Sequence, residues 1–168
     1  MSGPWLDDVE QSTWRAFLWS TQLFHEALDR QLQRDSGIPH TYYMILAMLS
    51  ESSQRTRTMT ELAAATRFSP SRLSHAVSRL EKNGWIKRKR HPHHGRSIVA
   101  ELTDEGFAAL REAAVGHVAE VRKLLFDPLT SDEQEQLRGL CEKILVGLPN
   151  TRGCAAEPET GEGADAER

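Results

Sequence analysis

Residues 58–103 read TMTELAAATRFSPSRLSHAVSRLEKNGWIKRKRHPHHGRSIVAELT, and this stretch decides the fold. Thr58 and Glu61 have the spacing of a capping box, which predicts that a helix begins there. Ser69 followed by Pro70 is typical of an N-cap and a first helical residue, so a second helix is predicted after a short turn. The order is therefore helix, turn and helix.

A hairpin is predicted directly after these two helices. Residues 85–91 and 97–103 each fit a strand, in which successive side chains point to opposite faces, and Ile98, Ala100 and Leu102 would then share one face of the second strand. The six residues HPHHGR at 91–96 form the tip that joins them. The whole stretch is therefore predicted to be a helix-turn-helix that carries a small β wing.

The charge of this stretch differs from that of the rest of the chain. Between Arg67 and Arg96 there are nine basic residues and one acidic residue, Glu81, whereas the other positions hold 12 basic and 23 acidic residues. The net charge of −3 is therefore the sum of a compact cationic unit and an acidic remainder of the chain. Such a unit is typical of proteins that dock on the phosphate backbone of nucleic acid. A basic face that is merely solvated is the alternative interpretation.

One face of the helix that begins at Pro70 has the chemistry for DNA contacts. Leu73, Val77 and Leu80 recur at helical spacing and are expected to face the core. The opposite face carries Arg, Ser and His side chains, which can bond to base edges or phosphates in a major groove. An arginine at a wing tip can enter a minor groove. The predicted DNA-binding residues are Ser69, Ser71, Arg72, Ser74, His75, Arg79, Lys87, Lys89, Arg90, His94 and Arg96.

Amphipathic helices are predicted on both sides of this unit. Apolar residues at three- and four-residue steps indicate one helix over 8–34 and two helices within 104–148. Their apolar stripes exceed what residues 38–103 can cover, so we expect a dimerisation bundle with a second copy. Residues 1–148 would then form one subunit. Residues 149–168 hold no large apolar side chain and are predicted to be a disordered acidic tail.

Composition excludes several classes of protein. No run approaches the roughly 20 apolar residues that span a bilayer, and the N-terminal residues lack an apolar signal region, so we expect a cytoplasmic protein without a membrane partner. The two cysteines, Cys141 and Cys154, match neither a disulfide framework nor a metal spacing. No nucleophile with a base, Gly-rich phosphate loop or pair of catalytic carboxylates stands out, so we predict neither an enzyme nor a cofactor.

The succession of elements resembles the MarR family of bacterial transcriptional regulators over roughly residues 10–148. The resemblance is carried by TMTELA at 58–63, by SPSRLSHAVSRLEKNG at 69–84, and by the two wing strands, the second of which leads into LTDEG at 102–106. It implies a mainly α fold with a small β wing, in which a winged helix-turn-helix unit is joined to a helical dimerisation bundle. The family's wing usually reads Asp-x-Arg, and His94 stands here where that Asp would hold Arg96.

The resemblance also implies a function. We expect a homodimer that binds a pseudo-palindromic operator in double-stranded DNA, as a ligand-responsive repressor of transcription. Family members often respond to small aromatic or anionic effectors in a cleft between the dimer bundle and the DNA-binding unit. The candidate ligand-binding residues are Trp14, Phe17, His25, Tyr42, Tyr43 and His117. For each of them, packing in the core is the alternative.

Two other interpretations stay open. A winged helix can serve as a protein-interaction module, in which case the basic face would meet an acidic protein partner instead of DNA. His91, His93 and His94 are close enough in sequence to bind zinc or nickel, but a hairpin tip lacks fixed tetrahedral geometry and supporting contacts. We therefore predict no metal site.

Overall fold

The computed structural model describes residues 5–91 and 97–148 of the 168-residue chain, and within them six α-helices surround a small antiparallel sheet. The predicted mainly α fold with a β wing is confirmed. The elements in chain order are α1 (Asp8–Ser36), α2 (His40–Ser50), a 3₁₀ turn (Ser53–Arg55), β1 (Thr56–Thr58), α3 (Met59–Thr66), α4 (Pro70–Lys82), β2 (Ile86–Arg90), β3 (Ile98–Leu102), α5 (Asp104–Val121), a π-helical continuation (Arg122–Phe126) and α6 (Ser131–Gly147).

Local capping interactions set where the helices begin. Thr58 Oγ1 accepts a hydrogen bond from the Glu61 amide at 3.2 Å, and Glu61 Oε2 accepts one from the Thr58 amide at 2.8 Å. These two bonds satisfy donors that the first turn of α3 would otherwise leave unpaired. Thr130 forms the same box at the start of α6, and Ser69 caps α4 with Pro70 as its first residue. The helix starts predicted from these residues are confirmed.

The sheet has three strands, with β3 between β1 and β2. The hairpin of β2 and β3 was predicted and is confirmed, with Ile86 opposite Leu102 and Arg90 opposite Ile98. Strand β1 was not predicted, so the sheet has three strands where the sequence analysis expected two. Its three residues pair with β3 through Thr56 opposite Glu101 and Thr58 opposite Val99, so the wing is joined to the segment that leads into α3.

The core lies where α2, α3, α4 and the sheet meet the C-terminal half of α1 and the first half of α5. Its fully buried large side chains are Leu32, Ile45, Leu46, Leu49, Leu62, Leu73, Val77, Leu80 and Ile86. Because α4 places Leu73, Val77 and Leu80 in this core, its opposite face is directed to solvent.

Two segments lie largely outside this core. Helix α1 extends two residues past the predicted end at residue 34, and its buried residues, Leu28, Gln31 and Leu32, all lie in its C-terminal half. Within the described ranges, α6 has no buried residue at all. Leu140 and Leu145 of α6 expose 58% and 61% of their surface. The apolar stripes predicted for these helices are therefore present and uncovered in the single chain.

Candidate nucleic-acid interface

Helix α4 carries the largest group of predicted DNA-binding residues. The Ser69 hydroxyl oxygen accepts a hydrogen bond from the Arg72 amide at 3.3 Å, so this serine caps the helix. Ala76 is buried together with the three apolar residues that were predicted to face inward. The exposed face holds the other predicted contacts on this helix, namely Ser71, Arg72, Ser74, His75 and Arg79. The structure thus brings them together on one surface.

The exposed Arg72 side chain reaches from α4 to α2. Its Nη2 donates a hydrogen bond to Thr41 Oγ1 at 2.8 Å. Its guanidinium carbon also lies 4.5 Å from the centre of the Phe68 ring, within the range of a cation–π contact. Neither contact involves a charged partner, so the guanidinium keeps its full capacity for binding an anion.

The rest of the α4 surface leads into a shallow hollow, which we call the α4 depression. It measures about 420 Å³ and is lined by Pro39, Thr41, Tyr42, Arg72, His75, Ala76 and Arg79. Tyr42 was predicted to contact an effector, but the structure places it here beside residues predicted to contact DNA. The α4 depression therefore adds the first turn of α2 to the candidate interface.

The wing continues the cationic surface. Lys87, Lys89 and Arg90 are exposed on β2, as predicted. Lys89 Nζ forms an ion pair with Glu101 Oε2 at 2.5 Å, although the backbone register sets Glu101 opposite Lys87. Lys87 forms no ion pair within residues 5–91 and 97–148, so it is the more available cation of the two.

The wing is fixed to the end of α4 by one ion pair. Arg88 donates to Glu81 Oε2 from Nε at 2.9 Å and from Nη2 at 2.6 Å. These hydrogen bonds, together with the positive charge of Arg88, lower the pKa of the Glu81 carboxyl. The one acidic residue of the basic stretch is thus used to position the wing.

Two predicted DNA contacts, His94 and Arg96, lie outside the described residues. The hairpin closes before them, where the His91 amide donates to the Ser97 carbonyl at 2.8 Å. His93, which was considered for metal binding, also lies outside the described residues.

Apart from Tyr42, the predicted effector residues divide into two groups. Tyr43 and His117 have ring centroids 4.2 Å apart, and His117 lies 5.6 Å from His40, which lies 5.9 Å from His25. His40 was missed, although its spacing of three residues from Tyr43 places both on one side of α2. These four rings join α1, α2 and α5.

Trp14 and Phe17 belong to the other group. They lie on the N-terminal half of α1, where they expose 49% and 43% of their surface. Phe17 precedes His25 by eight residues, about 12 Å along a helix. The structure therefore does not bring these two aromatic residues into one site with the histidines.

Burial dominates the electrostatics of the ring cluster. His117 is buried, and this burial together with the nearby charge of His40 lowers its pKa to about 4. Burial also lowers the pKa of His40, reinforced by the charge of His25, and it raises the pKa of Tyr43. All three side chains are therefore neutral at pH 7.

Next to this cluster lies a cleft of about 640 Å³ between α1, α2 and the turn that joins α3 to α4. We call it the α1–α2 cleft. Its lining residues are His25, Glu26, Asp29, His40, Thr41, Met44, Thr66, Arg67, Phe68 and Arg72. The volume lies in the range of small-molecule sites. Thr41 and Arg72 line both this cleft and the α4 depression.

None of the helices in the described part of the chain is long and apolar enough to cross a bilayer.

Comparison with known proteins identifies the family. The MarR family model matches residues 36–97. Sco3205 of Streptomyces coelicolor, a MarR family transcriptional regulator solved in complex with DNA, is 47% identical, with 88% of this chain and 92% of that chain covered and a TM-score of 0.84.

Two further proteins are similar over most of their length. AbsC, a MarR family transcriptional regulator from the same organism, is 34% identical, with 86% of this chain and 97% of that chain covered and a TM-score of 0.83. The transcriptional regulator PecS of Dickeya dadantii (strain 3937) is 26% identical over 130 residues, which are 77% of this chain and 78% of PecS. The chain belongs to the MarR family of transcriptional regulators, which are DNA-binding proteins and not enzymes.

Proposed function

We propose that the protein binds a pseudo-palindromic operator as a homodimer and represses transcription until a small ligand releases it. The observation that carries this proposal is the two-sided character of α4, whose buried stripe holds it to the core while its Arg, Ser and His side chains face solvent. Sco3205, which is 47% identical, was solved in complex with DNA, and this supports DNA binding by this chain.

In this proposal α4 enters the major groove. Arg79 and Arg72 have the planar fork that bonds to guanine O6 and N7, and His75 can bond to a base edge or a phosphate. Ser71 and Ser74 are short, so they let the helix approach the base pairs closely. Ser69 has its hydroxyl oxygen engaged as a cap, which leaves its O–H to donate to a phosphate.

The wing would bind beside the same site. Lys87, Lys89 and Arg90 project from β2 next to the end of α4, where the phosphates that flank the major groove would lie. His94 and Arg96 at the tip would then reach the adjacent minor groove. These contacts give affinity and register, whereas the contacts of α4 with base edges give sequence preference.

A second copy of the chain is proposed to cover α6 and the first half of α1. A helix of 17 residues that buries nothing in its own chain gains little stability from local structure, because most helical stability in proteins comes from tertiary packing. Exposed apolar residues on these helices, among them Trp14, Leu140 and Leu145, form continuous stripes of the kind that a dimer interface covers. Dimerisation would also set the distance between the two α4 helices.

The test of DNA binding begins with selection of fragments from the source genome by the full-length protein. Fluorescence anisotropy then compares a selected duplex with a shuffled duplex of the same length. Arg79→Ala is expected to cost about 1 to 3 kcal/mol on the selected duplex and to reduce the preference for it. Arg138→Ala on α6, where the arginine pairs with Glu135, removes an equal charge away from α4 and is the control.

If Arg79→Ala bound both duplexes as the wild type does, the assignment of α4 to the major groove would be wrong. For repression, adding the protein to purified polymerase on a selected promoter fragment should reduce the transcript. An unchanged or increased transcript would contradict repression.

The dimer is tested by sedimentation. The wild type is expected to sediment at twice the chain mass at micromolar concentration. Leu140→Glu should shift it towards the monomer, because a charge placed in an apolar interface must lose its water without gaining a partner. A monomeric wild type would contradict the homodimer.

A further inference from the structure

The first turn of α2 is joined to α4 by a single hydrogen bond between side chains. Thr41 Oγ1 accepts this bond from Arg72 Nη2 at 2.8 Å, and the two residues are 31 positions apart in the chain. Thr41 was not among the residues predicted to contact DNA. Its hydroxyl nevertheless lies against a guanidinium of the helix that we propose enters the major groove.

The backbone that carries Thr41 is itself held in place. Asp29 Oδ1 on α1 accepts the His40 amide at 2.8 Å. The Pro39 carbonyl accepts the amides of the two residues that follow Thr41, at 2.8 Å and 3.1 Å. The branched Cβ of a threonine also restricts its side chain to few rotamers. The hydroxyl is therefore a fixed point to which Arg72 can bond.

Phe68 restrains the same guanidinium from another direction. The ring lies in the turn between α3 and α4, and its centre is 4.5 Å from the guanidinium carbon of Arg72. The ring limits the space in which the guanidinium can move, whereas the bond to Thr41 sets the direction of Nη2. The Arg72 side chain is therefore ordered before DNA arrives.

The bond to Thr41 leaves Arg72 able to contact a base. A guanidinium has five N–H donors, and the two N–H groups of Nη2 belong to two different bidentate edges. Because Thr41 uses one of these groups, the edge that contains the other stays complete. Two parallel donors on one edge are what the O6 and N7 acceptors of guanine require.

Arg79 provides a comparison on the same helix. Arg72, His75 and Arg79 follow one another at three- and four-residue steps and line the α4 depression. The Arg79 side chain forms no hydrogen bond or ion pair within residues 5–91 and 97–148, so it becomes ordered only when DNA binds. The two arginines lie about 10 Å apart along the helix, so they reach different base pairs.

We propose that Thr41 is a positioning residue for sequence recognition, whose hydroxyl holds the Arg72 guanidinium in the orientation that bonds to a base. This inference rests on the proposed DNA binding by α4. Ordering a long side chain on binding costs affinity, and a side chain that is already held avoids this cost. A held guanidinium also adapts poorly to a different base. Thr41 thus contributes to discrimination at one base pair in each half of the operator.

The experiment uses the full-length protein and a selected genomic duplex in which each base pair of one half-site is substituted in turn. Fluorescence anisotropy gives the Kd for each duplex, and its ratio to the Kd for the unchanged duplex is the penalty for that substitution. A base pair with one bidentate contact is expected to show a penalty of about fivefold to 150-fold. Arg72→Gln and Arg79→Gln should each lose the penalty at a different base pair, which identifies the base pair that each arginine contacts.

Thr41→Val then removes the hydroxyl and keeps the branched shape of the side chain. It is expected to reduce the penalty at the Arg72 base pair by at least about threefold and to leave the penalty at the Arg79 base pair as in the wild type. Thr41→Ser, which keeps a hydroxyl, should retain both penalties. The double variant of Thr41→Val with Arg72→Gln should match Arg72→Gln alone, because the hydroxyl acts only through the guanidinium.

Each penalty is a ratio measured with one protein preparation, so a variant that folds less completely keeps the same penalties. Four results would overturn the inference. They are an unchanged penalty at the Arg72 base pair in Thr41→Val, equal reductions at both base pairs, a loss in Thr41→Ser as large as in Thr41→Val, or no base pair at which Arg72→Gln loses its penalty.

In all four of these results the wild type still prefers the selected duplex to the shuffled one. Equal binding of these two duplexes by the wild type would instead contradict the proposed function, so the two failures are distinguishable.

Discussion

The Arg88 guanidinium in β2 donates two hydrogen bonds to the Glu81 carboxylate in the last turn of α4. A third bond runs from the Arg88 amide to Glu81 Oε1 at 3.3 Å. One side chain therefore holds the first residues of the wing against the helix that we propose enters the major groove. The wing and α4 are thereby held at a defined angle, which a flexible connection through Gly84 alone would not provide.

This relationship predicts that Glu81→Gln reduces discrimination between DNA sequences without abolishing binding. The change removes a negative charge and frees Arg88 to pair with a phosphate, so affinity for a random duplex should rise and the slope of log K against log salt should steepen by about 0.9 for each subunit that contacts DNA. The looser wing should lower the preference for a selected duplex. Anisotropy on both duplexes at several salt concentrations measures the two effects.

Glu135→Gln, which removes the partner of Arg138 on α6, changes the net charge equally and is the control for Glu81→Gln. Equal effects of the two variants on sequence preference would show that net charge, and not the position of the wing, is responsible.

The ion pair on the wing predicts that the two exposed lysines contribute differently to the salt dependence of DNA binding. Lys87 forms no ion pair in the described ranges, so Lys87→Ala should flatten the plot of log K against log salt by about 0.9 for each subunit that contacts DNA. Lys89 is already paired with Glu101, so the double change Lys89→Ala with Glu101→Ala should flatten the plot less. If the double change flattened the plot more than Lys87→Ala does, Lys87 would not be the more available cation of the two.

The close approach of α5 to the wing predicts that Gly106→Ala destabilises the fold. Thr103 donates to the Gly84 carbonyl at 2.8 Å and accepts from the Gly106 amide at 3.0 Å, which draws the first turn of α5 against Trp85. A Cβ at Gly106 would lie 2.2 Å from the Trp85 carbonyl oxygen, so backbone would have to move. The free energy of unfolding should fall by about 2 kcal/mol or more in urea titrations.

Gly116→Ala offers a comparison within the same helix. Its Cβ would meet the amide nitrogen of Gln31 at 2.9 Å, the end of a side chain that can move, so the loss should be smaller. An equal loss in both variants would argue against a backbone clash at Gly106.

The burial of His117 predicts that stability falls on mild acidification. The pKa of His117 is about 4 in the fold against an ordinary value of 6.5, so the unfolded chain binds a proton below pH 6.5 that the folded chain excludes until about pH 4. This stability is complete above pH 6.5, and at pH 5 the loss from this residue should be about 2 kcal/mol. The Glu61 and Glu81 carboxyls, whose pKa values are lowered, add losses in more acidic solution.

His117→Phe keeps a ring against Tyr43 and removes the titrating group. Between pH 6.5 and 5, the unfolding free energy of this variant should depend less on pH than that of the wild type, when both are measured at one protein concentration because dimerisation contributes to stability. Identical pH dependence in the two proteins would mean that His117 is protonated in the fold at its ordinary pKa.

Much of the fold could be predicted because its signals are local. A capping box such as Thr58 with Glu61 acts within one helical turn, and the spacing of Leu73, Val77 and Leu80 identifies the buried side of α4 without any knowledge of its neighbours. Strand β1 could not be predicted in the same way. Three residues are too few for a recognisable alternation, and they form a strand only because β3, more than 40 positions later, pairs with them.

The same division between local signals and long-range contacts applies to the candidate site. The residue types and the exposed face of α4 followed from the sequence, whereas the directions of the side chains did not. Arg72 bonds to Thr41, 31 positions earlier, and Lys89 pairs with Glu101 although Lys87 faces it across the strands. The cluster of His25, His40, Tyr43 and His117 needs three helices to meet, so Trp14 and Phe17 could not be separated from it by helical spacing alone.

By itself, the sequence determined where helices such as α3, α4 and α6 begin, which face of α4 is buried, and that a cationic unit is attached to an acidic body, since each of these depends on neighbours within a few residues. Only the tertiary structure decided that Arg72 borders two hollows, that Glu81 positions the wing and that four rings from three helices form one cluster. Those relationships join atoms far apart in the chain, and their energies exist only after the core has brought the helices and strands together.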